Sequence, residues 1–473
     1  MIALEKIQPL VEEARFDTCT ACGEGFHRQR APYDRWIYPT KLPDGRTIRM
    51  LRILQTNACM YDCFYCNNRA GRPVRRHFLQ PEELSKGFME MVWRRDVVGL
   101  FLSSGIVGVD ETQERLLETV EILRERYGFQ GYIHLKIMPG ASADLIERAM
   151  QLADRVSINL EAPTPEFLSR LAGRKRGEEL WAGVRQIASL IGRDGIRADQ
   201  TTQFVVGAAG ESDFDILSAA NRLYREYRLS RVYYSAFQPV PQTPLEEHPP
   251  TPLLREHRLY QADWLLRKYG FRFEELVFDG RGNLSYSLDP KLVWALHHPE
   301  RFPIEINTAG YEELVRIPGI GPTTARRLLK ARREGLRVGS LEDLRMLGAR
   351  AGHAAPFILI DGKPMGRLHK AVQLSLVEGA EGEELDEALV AMFSSAVAGT
   401  NSRGYRERFR DFPDLGYPVQ NPAERRRRPS VLIPLSDRSS LASTPRTSRL
   451  RRETKLKGCT TCSTGCAAGG CAR

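Results

Sequence analysis

The sequence lacks any apolar run close to the ~20 residues that a membrane-spanning helix needs, so it does not predict an integral membrane protein. Its first residues, Met1–Arg15, mix acids with bases and lack the apolar core of a secretion signal. We therefore expect a cytoplasmic protein with no membrane partner. Because disulfides are rare in that reducing compartment, the nine cysteines are candidates for metal binding or catalysis.

The main part of the chain also has little net charge. The whole sequence carries +10, but residues 421–473 contain 12 Lys/Arg against 3 Asp/Glu and account for +9 of it. The preceding 420 residues are therefore nearly neutral. A nucleic-acid partner of this main part has to be argued from a specific motif, because overall charge does not indicate one.

Six short β-rich runs alternate with amphipathic helical patterns over the first 300 residues. This rhythm predicts parallel βαβ units, arranged as a partial (β/α)6 barrel or as a doubly wound sheet. The predicted strands are Met50–Gln55, Val98–Ser103, Gly131–Ile137, Arg155–Leu160, Thr202–Val206 and Arg231–Phe237.

The changes in pattern divide the chain into four parts. Residues 1–45 form an N-terminal segment, and residues 46–298 form the α/β unit. Residues 299–365 predict a small all-α module that contains a helix, a turn and a second helix. Residues 366–473 are rich in Ser, Thr, Pro and Arg and predict a largely disordered tail, since this composition buries little apolar surface.

A cysteine triplet, Cys59, Cys63 and Cys66, follows the first predicted strand. Three thiolates can bind three irons of a cubane cluster, and without a fourth local ligand one iron stays open for a small molecule. The carboxyl ends of parallel strands are where such sheets build their sites. The alternative is a zinc site, for which His77 is a possible fourth ligand.

This spacing, Cys-x3-Cys-x2-Cys with Tyr65 before the last cysteine, resembles the signature of the radical S-adenosylmethionine (SAM) superfamily. The resemblance implies a partial barrel, a 4Fe–4S cluster on the three cysteines, SAM on the open iron, and a reductant such as flavodoxin or ferredoxin. It also implies SAM contacts at strand ends, although this chain lacks the Glu of the superfamily's Gly-Gly-Glu-like motif. The residues concerned are Tyr65, Ser103, Ser104, Gly105, Asn159, Glu161 and Gly207.

A second motif, Pro318-Gly-Ile-Gly321 between two helical patterns, looks like a helix-hairpin-helix motif. Glycines permit a close backbone approach, and the free N–H groups of the following helix attract phosphate. Such contacts position DNA without reading its sequence. The alternative is a hairpin that only packs on the barrel or binds a protein. The predicted DNA-binding residues are Gly319, Ile320, Gly321, Thr323, Arg326, Arg327 and Lys330.

Longer stretches resemble one family of radical SAM proteins, assigned to DNA modification or repair and often encoded beside a uracil-DNA-glycosylase-like protein. The resemblance implies that such a protein is a partner. Between Glu166 and Gln203 this chain is shorter than the family, and past Gly366 it has an extra tail. The matching segments are Leu54–Asn68, Gly99–Gly105, Gly131–Ser142, Val232–Ser235, Arg255–Leu266 and the hairpin.

Three functional hypotheses follow: an enzyme that modifies or repairs DNA by radical chemistry, a radical enzyme acting on RNA such as tRNA, and a non-catalytic iron–sulfur partner of a repair glycosylase. No catalytic residue is assigned.

Other groups stay open as candidates. Arginines after the triplet could bind phosphates, His134 and Lys136 could orient substrate, and the remaining cysteines could hold a second metal site. These are Arg69, Arg72, Arg75, Arg76, and Cys19, Cys22, Cys459, Cys462, Cys466, Cys471.

Overall fold

The structure, a computed structural model, describes residues 4–14, 37–41 and 46–366 of the chain. Cys19 and Cys22 lie outside the described residues, as do the four cysteines of 459–471 and the tail predicted to be disordered. The second metal site and the state of the tail therefore stay predictions from the sequence.

Seven strands form one sheet in which strands adjacent in the chain are also adjacent in space. β1 runs antiparallel to β2, whereas β2 to β7 are all parallel. All six predicted strands are present with shifted ends. β1, which was not predicted, extends the sheet at one edge. The strands are β1 (Ile37–Lys41), β2 (Thr47–Leu54), β3 (Gly99–Ser103), β4 (Tyr132–Lys136), β5 (Arg155–Ser157), β6 (Asp199–Val206) and β7 (Arg231–Ala236).

The strand order decides between the two predicted architectures. A doubly wound sheet reverses its strand order at a switch point, whereas this order runs from β2 to β7 without reversal. Because each right-handed crossover adds the next strand on the same side, the sheet curls into a half-barrel with helices on its outer face. The predicted partial (β/α)6 barrel is confirmed, and the doubly wound sheet is excluded.

The crossover helices begin where the sequence supplies suitable first residues. Pro81 opens α2, followed by two acids that complement the helix dipole. At α7, the side chains of Ser212 and Asp215 each accept a bond from the other's backbone N–H. No helix in the described ranges is long and apolar enough to cross a membrane. The helices are α1 (Leu4–Ala14), α2 (Pro81–Trp93), α3 (Val109–Glu121), α4 (Ala143–Leu152), α5 (Pro165–Ser169), α6 (Gly177–Leu190), α7 (Asp213–Glu226) and α8 (Leu253–Lys268).

Side chains alternate along the strands between the helix-covered outer face and the inner face of the half-barrel. On β4, Ile133 and Leu135 belong to the apolar core under the helices. His134 lies between these two residues and Lys136 follows them. Both therefore lie on the inner face, where both are buried. The outer face holds the fold together, and the polar inner face is available for chemistry.

A helical module follows the barrel, and its α10–turn–α11 hairpin confirms the predicted helix-turn-helix. It also contains a small three-stranded sheet, which the prediction of an all-α module did not include. A second, shorter helix pair, α12 and α13, packs beside the first. The elements are α9 (Pro290–His297), α10 (Tyr311–Arg316), α11 (Pro322–Arg333), α12 (Leu341–Met346), α13 (Ala351–Ala354), β8 (Ile304–Glu305), β9 (Ile358–Ile360) and β10 (Lys363–Pro364).

The hairpin turn requires glycine at Gly319. Its φ is +81°, and a Cβ there would lie 2.5 Å from the carbonyl oxygen of Arg350. The backbone N–H of Arg350 in turn donates to the Gly319 carbonyl at 3.0 Å. The second helix pair therefore holds the turn of the first, which explains why a one-hairpin sequence motif folds as a larger module.

Lys291 of α9 contacts both the hairpin turn and Tyr269, the residue that follows α8 of the barrel. Its Nζ donates to the Ile320 carbonyl at 2.5 Å and lies 4.9 Å from the centre of the Tyr269 ring. Burial lowers the pKa of Lys291 to about 7, opposed by Asp289 and helped by Arg316. The ordinary pKa of lysine is 10.5, so between these values the folded state binds fewer protons than the unfolded state. Lys291 therefore makes the folded state more stable as pH rises from about 7 to about 10.

We expect Lys291→Met to remove this contribution. In the native protein, Lys291 should raise the free energy of unfolding by up to about 5 kcal/mol between pH 7 and pH 10. This value is the free-energy equivalent of the difference between its folded and ordinary pKa values. Urea midpoints at pH 7 and pH 9 measure the effect for both proteins. The control is Lys268→Met, which removes an exposed lysine on α8. Equal pH slopes in the native protein and Lys291→Met would contradict the assignment.

Candidate radical SAM site

The three cysteines lie on the loop between β2 and α2. Cys63 is buried, and Cys59 and Cys66 are half-buried; none of the three forms a disulfide with another described residue. Burial raises the pKa of the Cys63 thiol, while the nearby Lys175 lowers it. The structure thus brings the predicted ligands together at the carboxyl end of the sheet, with a cation beside them.

Backbone hydrogen bonds fix this cysteine loop to the loops that follow neighbouring strands. The N–H of Met60 donates to the Ile106 carbonyl at 2.6 Å, and that of Phe64 donates to the Leu171 carbonyl at 2.7 Å. Gly105, after β3, donates to the Thr56 carbonyl at 2.7 Å. The loop is therefore held on two sides before any cofactor contributes.

Arg76 organises the same loop from within. Its guanidinium donates to four backbone carbonyls, those of Asn57, Asn68, Arg69 and Arg72, at 2.6 to 3.3 Å. Arg72 similarly bonds Asn67 and the Pro241 carbonyl. The hypothesis that all four arginines after the triplet bind phosphates is wrong for these two, whose donors serve the loop. Arg75 is exposed.

Glu161, Lys175 and Tyr65 form a buried polar group next to the cysteines. Lys175 Nζ lies 2.8 Å from Glu161 Oε1, and their side chains are 10% and 6% exposed. Burial raises the pKa of Tyr65 strongly, and the charge of Glu161 and a hydrogen bond to it add to the effect. Burial disfavours the Lys175 ammonium, but Cys63 and Glu161 outweigh it and raise the pKa of Lys175. Lys175 therefore keeps a positive charge beside the thiols.

Glu161 also has an unusual backbone, with φ at +65°. A non-glycine residue in this region costs about 1–3 kcal/mol and persists where the surroundings enforce it. Here the Glu161 N–H donates to the Gln203 carbonyl, and its own carbonyl accepts from Val205. The sequence indicated Glu161, but it missed Lys175, whose only signal was the basic run 174–176.

The other residues predicted to contact SAM lie at the ends of the neighbouring strands. Ser103 ends β3, and the buried hydroxyl oxygen of Ser104 has no hydrogen-bond partner. Asn159 follows β5 and is half-buried. Gly207 follows β6 with φ at +89°, and its N–H donates to the Glu211 carboxylate. All of them share the edge of the sheet that bears the cysteines, and their contacts with SAM remain proposals.

The donor set fits a polynuclear iron cluster. Among the described residues, no three His, Cys, Asp or Glu side chains are grouped so that they could hold one metal ion. In a cubane each thiolate binds a different iron, so the sulfurs need not meet at one point. The cluster fit is supported by three thiols on one loop, a charged Lys175 beside them and the Ser104 hydroxyl oxygen, which has no partner and can bond a polar ligand.

On the hairpin, most of the predicted DNA-binding residues lie on one surface. Thr323, Arg326, Arg327 and Lys330 of α11 are exposed, whereas Gly319 and Gly321 in the turn are half-buried. Ile320 is only 1% exposed, so its side chain packs in the core and its carbonyl accepts from Lys291. We name the exposed set Thr323, Arg326, Arg327 and Lys330 the α11 basic face.

Comparison with known families and proteins agrees with both sites. Residues 53–223 match the Radical SAM superfamily, and residues 301–347 match the Helix-hairpin-helix motif. A probable GTP 3′,8-cyclase of Thermococcus kodakarensis is 28% identical over 146 residues, which are 30% of this chain and 44% of that protein. An uncharacterized protein of Methanocaldococcus jannaschii is 25% identical over 224 residues, 46% of this chain and 54% of the other.

The chain thus spans about half the length of these curated relatives. Among solved structures, the FeFe-hydrogenase maturase HydG from Carboxydothermus hydrogenoformans matches with a TM-score of 0.39 and 18% identity, over 46% of this chain and 50% of that one. A radical SAM methyltransferase from Sphaerobacter thermophilus matches with a TM-score of 0.36 and 18% identity, over 48% and 68%.

Enzymes of this superfamily use a 4Fe–4S cluster and SAM. The family match begins on β2, includes the cysteine loop and Lys175, and ends within α7. From these matches and the geometry of the cysteine loop, we conclude that residues 53–223 contain a Radical SAM domain and that a helix-hairpin-helix motif follows it at residues 301–347.

Proposed function

We propose that the protein cleaves SAM reductively and uses the resulting radical chemistry to modify or repair a nucleotide of DNA. The observation that carries this proposal is the attachment of a hairpin with a basic face to a barrel that presents three cysteines on one loop. Lys291 bonds the hairpin turn, and Arg316 of α10 pairs with Glu275 at 2.6 Å. These contacts pack the hairpin against the preceding elements, and we propose that a nucleic acid bound to the hairpin extends to the barrel.

In this proposal Cys59, Cys63 and Cys66 hold the 4Fe–4S cluster. A bound cluster supplies the electron that cleaves SAM. The protein contributes charge and position: Lys175 balances the negative charge of the thiolates, and Glu161 holds Lys175 and Tyr65 in place. Ser104 and Gly105 lie at the adjoining strand end, where the unpartnered hydroxyl oxygen of Ser104 can bond a polar ligand.

The α11 basic face provides the proposed DNA contacts. Pro322 opens α11, so the free N–H groups of its first turn and the exposed Thr323 can contact a phosphate. Positive charge along the same DNA backbone then comes from Arg326, Arg327 and Lys330. These contacts do not depend on base identity. A target base in a duplex has to leave the stack before it can reach the barrel.

One relative also supports a nucleotide substrate, since its name describes a cyclase of GTP. For this chain we propose a reducing, cytoplasmic location, which suits thiolate-bound iron. A flavodoxin or ferredoxin would supply the electron, and a uracil-DNA-glycosylase-like protein is the proposed partner in repair. RNA is the competing substrate, and the experiment below includes it.

The test combines turnover with binding. After anaerobic reconstitution and reduction, 5′-deoxyadenosine is measured by mass spectrometry with duplex DNA, single-stranded DNA and RNA. We expect DNA to stimulate its release and RNA not to do so. Stimulation by RNA alone would favour an RNA-modifying enzyme, and no release under any condition would contradict the proposed activity.

The α11 basic face gives a separate prediction. Changing Arg326, Arg327 and Lys330 together to Gln removes up to three phosphate contacts. The slope of log affinity against log salt should then fall by about 0.9 per lost contact. Fluorescence anisotropy of labelled duplex DNA measures this. The control, Lys86, Arg185 and Arg193 to Gln, removes three exposed charges from the barrel. Equal slopes in the two variants would contradict the assignment of this face.

A further inference from the structure

The inner face of the half-barrel carries a row of polar side chains at one depth. Strand register places Lys136 of β4 opposite Ser157 of β5, and Ser157 opposite Thr201 of β6. Ser103 of β3 continues the row. Leu102 pairs with Leu135, so the next residues on the two strands, Ser103 and Lys136, lie side by side. Four adjacent strands thus contribute one ammonium and three hydroxyls. We name Ser103, Lys136, Ser157 and Thr201 the lumen row.

Each member of the lumen row is buried, with exposed fractions of 4%, 8%, 3% and 2% in chain order. Barrel interiors are commonly filled by bulky apolar side chains that pack the core. Polar groups at this depth carry a desolvation cost unless they are satisfied. The hydroxyl oxygen of Thr201 has no hydrogen-bond partner. An inward-facing hydroxyl without a partner indicates a ligand that the row is shaped to bind.

The next row toward the amino ends of the strands is basic. Arg52, His134 and Arg155 lie there in register, with Phe101 between the first two. His134 Nε2 is 3.0 Å from the hydroxyl oxygen of Ser157. Burial lowers the pKa of His134 strongly, and Arg155, Lys136 and Arg52 lower it further. Arg52 and Arg155 therefore lie close to His134 just below the lumen row, and Lys136 lies close to it from within the row.

Cations outnumber acids among the inner-face residues of these strands. Along the inner faces of β2 to β6, the only acidic residue is Asp199, against Arg52, Lys136 and Arg155. Asp199 makes two hydrogen bonds of 2.6 Å with Arg155. Glu161, at the rim, pairs with Lys175. The inner face therefore carries net positive charge where the barrel is least exposed to water.

We propose that the lumen row binds a phosphomonoester, so that the substrate is a nucleotide with a terminal phosphate. The ammonium and the three hydroxyls supply several hydrogen-bond donors, and phosphate oxygens accept such bonds. Below the row, the lumen is filled by Phe101 against His134, with ring centres 4.7 Å apart, and by Arg52 over Phe101 and Tyr38. A phosphodiester in the middle of a nucleic-acid strand would require that strand to enter this closed end and leave it again. The end of a nucleic-acid strand only has to enter.

This inference rests on the proposed function for the nucleotide identity of the ligand, but its test needs neither cluster nor SAM cleavage. Isothermal titration of the full chain compares the four deoxynucleoside 5′-monophosphates with their nucleosides. We expect the monophosphates to bind at least about tenfold more tightly, as a charge-assisted site predicts. Oligonucleotides with a 5′-phosphate, a 3′-phosphate or neither distinguish a DNA end from a free nucleotide.

Two variants test the row itself. Lys136→Met should weaken monophosphate binding at least about tenfold, and Thr201→Val by about fivefold, the loss of one hydrogen bond. Thr201→Val replaces a hydroxyl that the protein itself does not use, so folding should be preserved. Lys86→Met, at an exposed position on α2, is the control. Equal affinity for nucleotides and nucleosides, or equal affinity in the Lys136→Met and Lys86→Met proteins, would overturn the proposal.

If the lumen row fails this test while DNA still stimulates release of 5′-deoxyadenosine, the proposed function stands and only the terminal-phosphate site is lost. If the row binds nucleotides but no DNA stimulates release, the anion site stands, and a free nucleotide replaces DNA as the substrate. The two results can therefore be read independently.

Discussion

Replacing Cys63 with alanine is expected to abolish iron binding and SAM cleavage together. Cys63 is the most buried of the three cysteines, and its thiolate raises the pKa of Lys175 more than that of Cys66 does. With two thiolates on the loop, a cubane would have only two protein ligands and one more iron open to solvent. We expect no visible iron–sulfur absorbance and release of 5′-deoxyadenosine no greater than without protein.

The same variant should remain folded. Removal of a buried sulfur costs about 1 kcal/mol, and the loop retains its bonds to Ile106 and Leu171. Thermal unfolding of the metal-free forms of both proteins checks this. The control is His77→Ala, which removes the possible fourth ligand of a zinc site. The His77→Ala protein should still bind iron. Zinc in place of iron, or an unchanged chromophore in Cys63→Ala, would contradict the cluster assignment.

Iron content of the native chain separates one cluster from two. The described cysteines account for one cluster of four irons, whereas a second site would need cysteines outside the described residues. About four irons per chain therefore indicates a single site on the cysteine loop.

The sequence predicted the parts of the fold that depend on local pattern. Short β-rich runs between amphipathic helices are enough to place β2 to β7. The choice of a barrel over a doubly wound sheet depends on strand order, which no single run contains. β1 was missed because Ile37–Lys41 is short, includes Pro39 and is an edge strand, so its signal is weak.

For the site, the sequence predicted what lies close along the chain and missed what folding brings together. The cysteine triplet is contiguous, so its chemistry could be inferred directly. Lys175 is more than 100 residues away and becomes informative only when β5 brings Glu161 beside the loop. Similarly, Arg76 looked like a phosphate ligand because its charge is visible in sequence and its four carbonyl partners are not.

The lumen row shows the same limit most clearly. His134 and Lys136 could be singled out on one strand, but the row spans four strands and depends on their register. A one-residue slip would turn every member to the opposite face. Ser157 and Thr201 attract no attention in the sequence, since single hydroxyl residues within strands are common.

Gly105→Ala is expected to have the second large effect, through backbone contact alone. A Cβ at this position would lie 2.2 Å from the Ala58 carbonyl oxygen and 2.8 Å from its carbonyl carbon. Real Cβ atoms do not approach backbone so closely, so one of the two loops must move. Because the N–H of Gly105 also donates to Thr56, the displacement passes directly to the segment that carries Cys59.

We therefore expect Gly105→Ala to lower the free energy of unfolding by about 3 kcal/mol and to reduce iron incorporation. Urea denaturation and iron analysis measure the two effects. Gly108→Ala is the matched control, since there the nearest atom is the end of the flexible Glu111 side chain, at 3.3 Å. If both alanines were equally tolerated, the contact between the strand-end glycine and the cysteine loop would not position the cluster ligands. If Gly105→Ala lost stability but kept full iron, the loop could bind its cluster without this support, and the glycine would serve the fold rather than the site.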